Sequence, residues 1–146
     1  MLHGYAPSLL SGTLLTLALA LLSLAIAVVL GLAAASARLS RSRWLQGGAL
    51  AYTTLIRGVP DLVLMLLVFF GGQLAVNALA QQLGFADYID VDPFVAGVLT
   101  IGFVFGAYLG ETFRGAFLAL APGQREAGLA CGMSRWQVLR RLLLPQ

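Results

Sequence analysis

The sequence predicts an all-α membrane protein, and its composition and its long apolar stretches indicate this class. Of the 146 residues, 60% are hydrophobic and only 10% are charged, far below the roughly 25% charged residues of a soluble domain. Three apolar stretches exceed the roughly 18 residues that mark a candidate membrane-spanning helix. We therefore expect a polytopic helical membrane protein with spans at about 9–35, 62–83 and 94–120.

The distribution of charge predicts which way the chain is inserted. Three arginines lie in the loop 38–43, and four more lie in the segment 125–141 after the third span. Cytoplasmic loops carry an excess of arginine and lysine, so we expect both segments on the cytoplasmic side. The loop 84–93 carries three aspartates, Asp87 among them, and no cation, which fits the opposite face and an N-terminus on the outer side.

Small residues recur every four positions on the first and third predicted spans. The positions are Ser23, Ala27, Gly31 and Ala35 on the first span and Gly102, Gly106 and Gly110 on the third. Such faces allow helices to approach closely. Three helices are too few to satisfy their own packing, so we expect either assembly with other subunits or further spans outside this sequence.

The segment 44–56 is mildly apolar and has two interpretations. Either it lies along the membrane interface, or it begins the second span. Gly58 and Pro60 then interrupt the chain, because Pro60 lacks an N–H group and disfavours helix at Val59. The apolar run resumes at Leu62.

The residues present exclude several kinds of site. The chain has no lysine, which excludes a P-loop lysine and a Schiff-base lysine. The one cysteine and the one histidine, Cys131 and His3, lie far apart in the sequence, so no metal site is predicted. Neither a serine nor the cysteine has a base nearby in sequence, and an intramembrane enzyme is not expected.

Ionisable residues within the spans are costly and indicate candidate functional positions. Asp61 follows Arg57 by four residues, the spacing at which helical side chains meet. Either the two form a structural ion pair, or Asp61 faces a polar pathway and attracts a cationic solute. Glu111 lies three residues from both Tyr108 and Arg114. It forms an ion pair with Arg114 that fixes the rotation of the helix, or it belongs to a mid-membrane site beside a broken helix.

Two amides, Gln73 and Asn77, lie four residues apart in the second predicted span. This spacing places both side chains on one face of a helix. We expect them to hydrogen-bond a neighbouring helix, because polar side chains within a membrane bundle commonly pair in this way.

The last part of the chain carries a motif with several fixed spacings. Helix breakers at 122–123 and at 145 bound a basic segment that we expect to form one short helix, about 124–143. Glu126-Ala127-Gly128 is followed by three residues, Gly132, nine residues and Leu142-Leu143-Leu144-Pro145. This resembles the cytoplasmic coupling motif of ABC importer permeases, Glu-Ala-Ala, three residues, Gly, nine residues, Ile-x-Leu-Pro. Two positions depart from this motif: Gly128 replaces an alanine, another small residue, and Leu142 replaces an isoleucine, another aliphatic residue.

Two further stretches, 57–64 and 108–115, are similar to the polar amino acid branch of these permeases. Within it, the subunits that serve histidine, lysine, arginine and ornithine, or arginine and ornithine, are the most similar in pattern. The resemblance implies part of a type I ABC importer transmembrane domain over residues 1–146, with three spans plus the coupling helix, in the bacterial inner membrane with a periplasmic N-terminus. Family members continue with two more spans, so we expect this chain to be truncated after the coupling helix.

The resemblance also implies partners and a division of labour. The expected partners are a second permease subunit, homologous or identical, a cytoplasmic ABC ATPase dimer and a periplasmic solute-binding protein, with no nucleic acid. ATP and Mg²⁺ would bind the ATPase, and this chain would hold no cofactor and perform no catalysis. The residues expected to contact the ATPase are Glu126, Ala127, Gly128, Gly132, Leu142, Leu144 and Pro145.

A basic amino acid would also explain the carboxylates within the spans. The substrate-pathway candidates are Asp61, Glu111 and Tyr108, with Arg57 and Arg114 as members of structural charge pairs. Asp61 ranks first, because the glutamate that matches Glu111 is widespread in the family and is more typical of a structural role. The alternative is a small membrane scaffold or assembly subunit without a transport role, which leaves the spacing of the C-terminal motif unexplained.

Overall fold

The computed structural model describes residues 5–84, 88–143 and 145, apart from the side chain of Pro122. Six α-helices follow one another along these described ranges. They are α1 Ala6–Arg38, α2 Arg43–Arg57, α3 Asp61–Gln82, α4 Pro93–Ala119, α5 Pro122–Ala130 and α6 Arg135–Val138, and a π-helical turn, Leu139–Leu143, continues α6. No strand occurs within the described ranges. The predicted all-α class is confirmed.

Three of these helices are long and apolar enough to cross a membrane, namely α1, α3 and α4. Helix α1, with 33 residues, extends about three residues beyond each predicted bound, whereas α3, with 22 residues, and α4, with 27, agree with the predicted bounds to about one residue. The start of α4 has a clear local cause. Pro93 occupies the first turn, where its missing N–H is harmless, and the carboxylate of Asp92 accepts a hydrogen bond of 3.0 Å from the backbone N–H of Val95.

The glycine face of α4 packs on α1, where its glycines meet the residues one position before those of the predicted small-residue face, and Gly31 of that face meets Gly110. Gly102, Gly106 and Gly110 of α4 face Ile26, Leu30 and Ala34 of α1 respectively. The residue numbers rise together, so the two helices run parallel. A Cβ atom at Gly102 would lie only 2.6 Å from the Ile26 side chain, so the backbones approach as closely as glycine allows. The α1–α4 pair is the main packing unit of the described chain.

The segment 44–56 belongs to a separate helix, α2. It therefore does not form the beginning of the second span, which was one of the two interpretations. Helix α2 ends at Arg57, and the N–H of Gly58 closes it by bonding to the carbonyl of Thr54 at 3.0 Å. Helix α3 begins at Asp61 after Pro60. The buried residues Ile56, Leu64, Val104 and Ala107 then form a small core between α2, α3 and α4.

The predicted single helix 124–143 is wrong, because the structure divides it at Gly132. Gly132 has φ +79°, a conformation that glycine adopts without the steric cost that a Cβ atom imposes. Its N–H bonds to the carbonyl of Leu129, and the N–H of Met133 bonds to the carbonyl of Gly128, which is the Schellman pattern of a helix end. A capping box between Ser134 and Gln137 then starts α6.

Candidate functional site

The carboxylate of Asp61 contacts a tyrosine rather than the predicted arginine. The Tyr108 hydroxyl donates a hydrogen bond of 2.6 Å to Oδ1 of Asp61. The guanidinium carbon of Arg57 lies 5.7 Å from the centre of the same tyrosine ring, within range of a cation–π interaction. No ion pair joins Arg57 to Asp61 among the residues that the structure describes. Helical spacing does not apply to them, because α2 ends at Arg57 and α3 begins at Asp61.

Glu111 forms the predicted ion pair with Arg114 and has two further partners. The Arg114 Nε donates to Oε2 of Glu111 at 2.8 Å. On the other oxygen, Oε1, the Thr53 hydroxyl donates at 3.2 Å and the Nε of Arg38 lies at 3.4 Å. The Glu111 side chain is only 16% exposed. Three helices, α1, α2 and α4, thus meet at this carboxylate, which fits a structural role better than a substrate contact.

Sequence reasoning missed Arg38 and Thr53 as partners of Glu111. The sequence indicates Arg38 only as part of a basic loop. The signal that could have found it was the pair of small-residue faces, because parallel packing of α1 and α4 brings the end of α1 beside Glu111. Thr53 offered no comparable signal, since its position depends on how α2 folds back against α4.

The two charged clusters open onto one cavity of about 470 Å³. The lining combines charged, hydroxyl-bearing and apolar residues from α1, α2 and α4 and the turn after α2. They are Arg38, Leu50, Thr53, Thr54, Arg57, Gly58, Tyr108 and Glu111. Its volume lies within the range of small-molecule sites, roughly 300–1,000 Å³. The structure therefore brings three of the sequence-predicted residues, Arg57, Tyr108 and Glu111, to the wall of one polar space, with Asp61 hydrogen-bonded to it through Tyr108.

The cavity lies beside the second half of α4, one of the three candidate spans. At 1.5 Å per residue, Tyr108 is about 22 Å from Pro93 and about 16 Å from Ala119 along this 27-residue helix. The hydrocarbon core of a bilayer is about 30 Å thick, so α4 is long enough to cross it and Tyr108 lies well away from both ends of this helix. Gly58 and Pro60, between α2 and α3, interrupt the helical backbone next to the cavity.

Gln73 and Asn77 bind a loop instead of the neighbouring helix that the sequence predicts. The Asn77 side chain accepts from the N–H of Ile89 at 2.8 Å and donates to its carbonyl at 2.9 Å. The Gln73 side chain donates to the same carbonyl at 2.6 Å and accepts from the N–H of Val91 at 2.9 Å. These bonds fasten the segment before α4 to α3.

The C-terminal motif forms a compact unit in which Gly128 is the point of closest contact. A Cβ atom at Gly128 would lie 2.7 Å from Cδ1 of Leu142 and 2.9 Å from Cγ2 of Val138. Glu126, Ala127 and Gly132 are exposed, as is Pro145. Leu144 lies outside the described residues. The motif thus divides into positions that hold α5 against the π-helical turn and positions that face outwards.

Metal ligation finds no support in the described part of the chain. No group of three or more histidine, cysteine, aspartate or glutamate side chains there could hold a metal ion. Cys131 is exposed and has no disulfide partner.

The chain matches known proteins over nearly its whole length. A family model for the binding-protein-dependent transport system inner membrane component matches residues 27–146. The histidine/lysine/arginine/ornithine transport system permease protein HisQ of Salmonella typhimurium is 51% identical over 145 residues, which cover 99% of this chain and 63% of that protein. The octopine transport system permease protein OccQ of Rhizobium radiobacter is 40% identical over 143 residues, covering 98% of this chain and 60% of that protein.

A solved structure shows the same arrangement of helices. The crystal structure of an amino acid ABC transporter with histidines matches with a TM-score of 0.74 and 32% sequence identity, over 99% of this chain and 62% of that chain. The chain thus spans less than two thirds of the length of the relatives described here. The resemblance identified from the C-terminal motif is confirmed. The chain belongs to the family of binding-protein-dependent transport system inner membrane components.

Proposed function

We propose that this chain forms part of the permease subunit of an ATP-driven importer that carries basic amino acids across the bacterial inner membrane. The substrate class is supported by the 51% identity to a relative named for histidine, lysine, arginine and ornithine transport. The observation in the structure that carries the proposal is Asp61, a carboxylate at the start of the candidate span α3 whose described hydrogen-bond partner is a neutral tyrosine hydroxyl.

The two carboxylates near the cavity, Glu111 and Asp61, differ in the number of neighbouring cations that neutralise their negative charge. Glu111 has two arginines and a threonine hydroxyl around it. Asp61 has the Tyr108 hydroxyl and no cation within ion-pair distance among the described residues. Ionisable residues of membrane spans usually pair with an opposite charge, and a cationic solute supplies that charge for Asp61. Asp61 is therefore the residue that we assign to the cationic group of the substrate.

The unit formed by α5, α6 and the π-helical turn is suited to transmit motion from a partner protein. It directly follows α4, the helix that packs most closely on α1, and its own segments are packed together at Gly128. Its exposed surface includes Glu126 and Ala127. We propose that this surface, with Gly132, Leu142, Leu144 and Pro145, contacts a cytoplasmic ATPase.

The complete importer in this proposal contains other proteins. These are a second permease subunit, a dimer of the ATPase, which binds ATP and Mg²⁺, and a periplasmic solute-binding protein. The arginines of the loop 38–43 and of the segment 125–141 favour a cytoplasmic position for this loop and this segment. Because α1 precedes the loop 38–43 and crosses the membrane in this proposal, the N-terminus is periplasmic.

The substrate class can be tested by binding to the assembled complex. Radiolabelled arginine, histidine and glutamate would be offered to the complete permease–ATPase complex in lipid nanodiscs. We expect arginine to bind most tightly, histidine to bind with a largely uncharged side chain, and glutamate not to bind, because Asp61 attracts the guanidinium of arginine and repels the second carboxylate of glutamate. Preferential binding of glutamate would refute the proposed substrate class.

The coupling role needs a separate measurement. Replacing Gly132 by aspartate puts a side chain at φ +79°, where non-glycine residues are strained, and should reduce co-purification of the ATPase. Gly123→Asp is the matched control, because a Cβ atom at Gly123 would meet no heavy atom within 4 Å. Equal co-purification of the two variants would refute the assignment of this segment, and would favour a scaffold that does not engage an ATPase.

A further inference from the structure

An apolar cavity of about 450 Å³ lies where α1 and α4 meet the C-terminal unit formed by α5, α6 and the π-helical turn. Its wall includes Leu32 of α1, Phe113 and Phe117 near the end of α4, and Leu143 of the π-helical turn. Every described residue of this wall is apolar. None of these residues belongs to the proposed substrate pathway or to the surface proposed to contact the ATPase, so the function proposed above leaves this cavity without a role.

The cavity follows α4 from its last turn towards the middle of the helix. At 1.5 Å per residue, α4 is about 40 Å long, close to the roughly 40–45 Å of a bilayer with its headgroups, of which about 30 Å is hydrocarbon. A helix of this length that crosses the bilayer therefore has its last turn among the headgroups. Leu120, directly after α4, and Phe113, about 9 Å before Ala119, both line the cavity, so the cavity extends from the headgroup region into the hydrocarbon.

The size of the cavity favours a single flexible chain over a further membrane-spanning helix. A helix about 10 Å across with a pitch of about 5.4 Å occupies roughly 420 Å³ for each turn. The volume of about 450 Å³ therefore corresponds to about one helical turn, whereas a span of about 20 residues has between five and six turns. A lipid acyl chain is thinner than a helix and is the apolar chain that surrounds any span at this depth.

Two arginines lie beside this cavity. Arg140 and Arg141 are exposed and belong to the same π-helical turn as Leu143, which lines the cavity. An arginine side chain covers apolar surface with its stem and keeps its charged head in water, and its guanidinium binds a phosphate through two parallel hydrogen bonds. The segment 121–146 carries four arginines and one acidic residue, Glu126, so the surroundings of the cavity are complementary to an anion.

We propose that this cavity binds an acyl chain of an anionic phospholipid from the cytoplasmic leaflet, with Arg140 and Arg141 at the phosphate of the headgroup. This inference goes beyond the proposed function and takes from it only the insertion of the chain, with the C-terminal unit on the cytoplasmic side. The acyl chain contacts α1, α4 and Leu143 together. The bound lipid thereby stabilises the position of the C-terminal unit against the spans.

Neither a zwitterionic lipid nor an acidic protein surface fits both the cavity and the arginines. A zwitterionic headgroup carries a cationic group, which the two arginines repel. An acidic protein surface pairs with Arg140 and Arg141 but leaves the apolar cavity beside Leu143 unfilled. An anionic phospholipid contacts the arginines and fills the cavity, and basic pockets between helices on the cytoplasmic side are known to bind such headgroups.

Photoactivatable lipids test the inference on the complete permease–ATPase complex in nanodiscs. Phosphatidylglycerol and phosphatidylcholine, each with a diazirine in its acyl chain, would be irradiated in separate samples, and the labelled peptides would be identified by mass spectrometry. One arginine near a membrane surface strengthens the binding of an anionic lipid about fivefold. We expect phosphatidylglycerol to label residues 113–120 and 139–143 about 25-fold more than phosphatidylcholine does, and both lipids to label the exposed segment 7–17 of α1 equally.

Two double variants separate this site from the general attraction of anionic lipids to positive charge. Arg140→Gln with Arg141→Gln should abolish the preference for phosphatidylglycerol at residues 113–120. Arg41→Gln with Arg43→Gln removes two exposed arginines of the other basic segment and should keep the preference. Co-purification of the ATPase with each variant shows that the variant is folded. Loss of the ATPase with unchanged labelling in Arg140→Gln/Arg141→Gln would assign these arginines to a protein partner and overturn the lipid site.

A matched pair of tryptophan variants tests the cavity itself. Ala116→Trp fills the cavity, which Ala116 lines, and should prevent labelling there by both lipids. Leu118→Trp adds the same side chain at an exposed position of α4 outside the lining and should leave the labelling unchanged. Equal labelling by the two lipids in the wild type, or labelling that persists in Ala116→Trp, overturns the inference. Binding of radiolabelled arginine to the same preparation tests the proposed function separately, since its substrate residues lie outside this cavity.

Discussion

Replacing Gly102 by alanine should destabilise the α1–α4 pair, and Gly115→Ala on the same helix should not. A Cβ atom at Gly102 would lie 2.6 Å from Cγ2 and 2.8 Å from Cβ of Ile26, and 3.3 Å from the carbonyl oxygen of Ser23. The Cβ of Ile26 and the backbone of Ser23 cannot move without shifting α1. At Gly115 the added Cβ would meet no heavy atom within 4 Å.

The magnitude follows from two opposing effects. Overpacking a tight contact costs about 1–3 kcal/mol, while exchanging glycine for alanine inside a helix contributes about 1 kcal/mol of stability. The second effect is common to both variants and cancels in their comparison. We therefore expect Gly102→Ala to unfold with a free energy about 1–3 kcal/mol lower than that of Gly115→Ala.

The comparison can be made on the complete subunit in detergent micelles. Unfolding would be followed by the loss of helical circular dichroism as SDS is added, and the free energies of the two variants would be compared with that of the wild type. Equal free energies for Gly102→Ala and Gly115→Ala would refute close backbone packing of α1 on α4.

Two further substitutions test other contacts. Glu111→Gln should lower the free energy of unfolding by about 2 kcal/mol in the same titration, because it leaves two largely buried arginines without a carboxylate; a variant as stable as the wild type would contradict this. Asn77→Ala removes both hydrogen bonds to Ile89 and should speed limited proteolysis of the segment 88–92. Gln82→Ala is the control, because the Gln82 side chain makes no hydrogen bond among the described residues. Equal rates of cleavage in the two variants would show that Asn77 does not hold this segment in place.

The spans and their packing faces were predictable because they depend on local sequence. Apolar length indicates a span, and the four-residue recurrence of small side chains indicates the faces that meet, such as Gly31 against Gly110. The structure adds that these two faces satisfy each other within one chain. Both faces are visible in the sequence, but the sequence does not predict that they pack on each other, because this pairing depends on the parallel course of α1 and α4.

The contacts at chain breaks were harder to predict. The spacing of Arg57 and Asp61 is meaningful only within one continuous helix, and the Gly58–Pro60 break removes that condition. Tyr108 becomes the partner of Asp61 because α3 and α4 lie side by side. The division of the C-terminal motif at Gly132 likewise depends on its positive φ, whereas its spacing alone is equally compatible with one continuous helix.

The central claim is that Asp61 binds the cationic side chain of the substrate, and ATP-driven uptake by Asp61→Asn tests it most directly. Arginine and histidine would be compared at pH 8 in proteoliposomes holding the complete importer, since the imidazole, with a pKa of about 6.5, is uncharged there. We expect arginine uptake to fall about tenfold or more and histidine uptake to persist. An equal fall for both substrates, or no fall, would contradict the account.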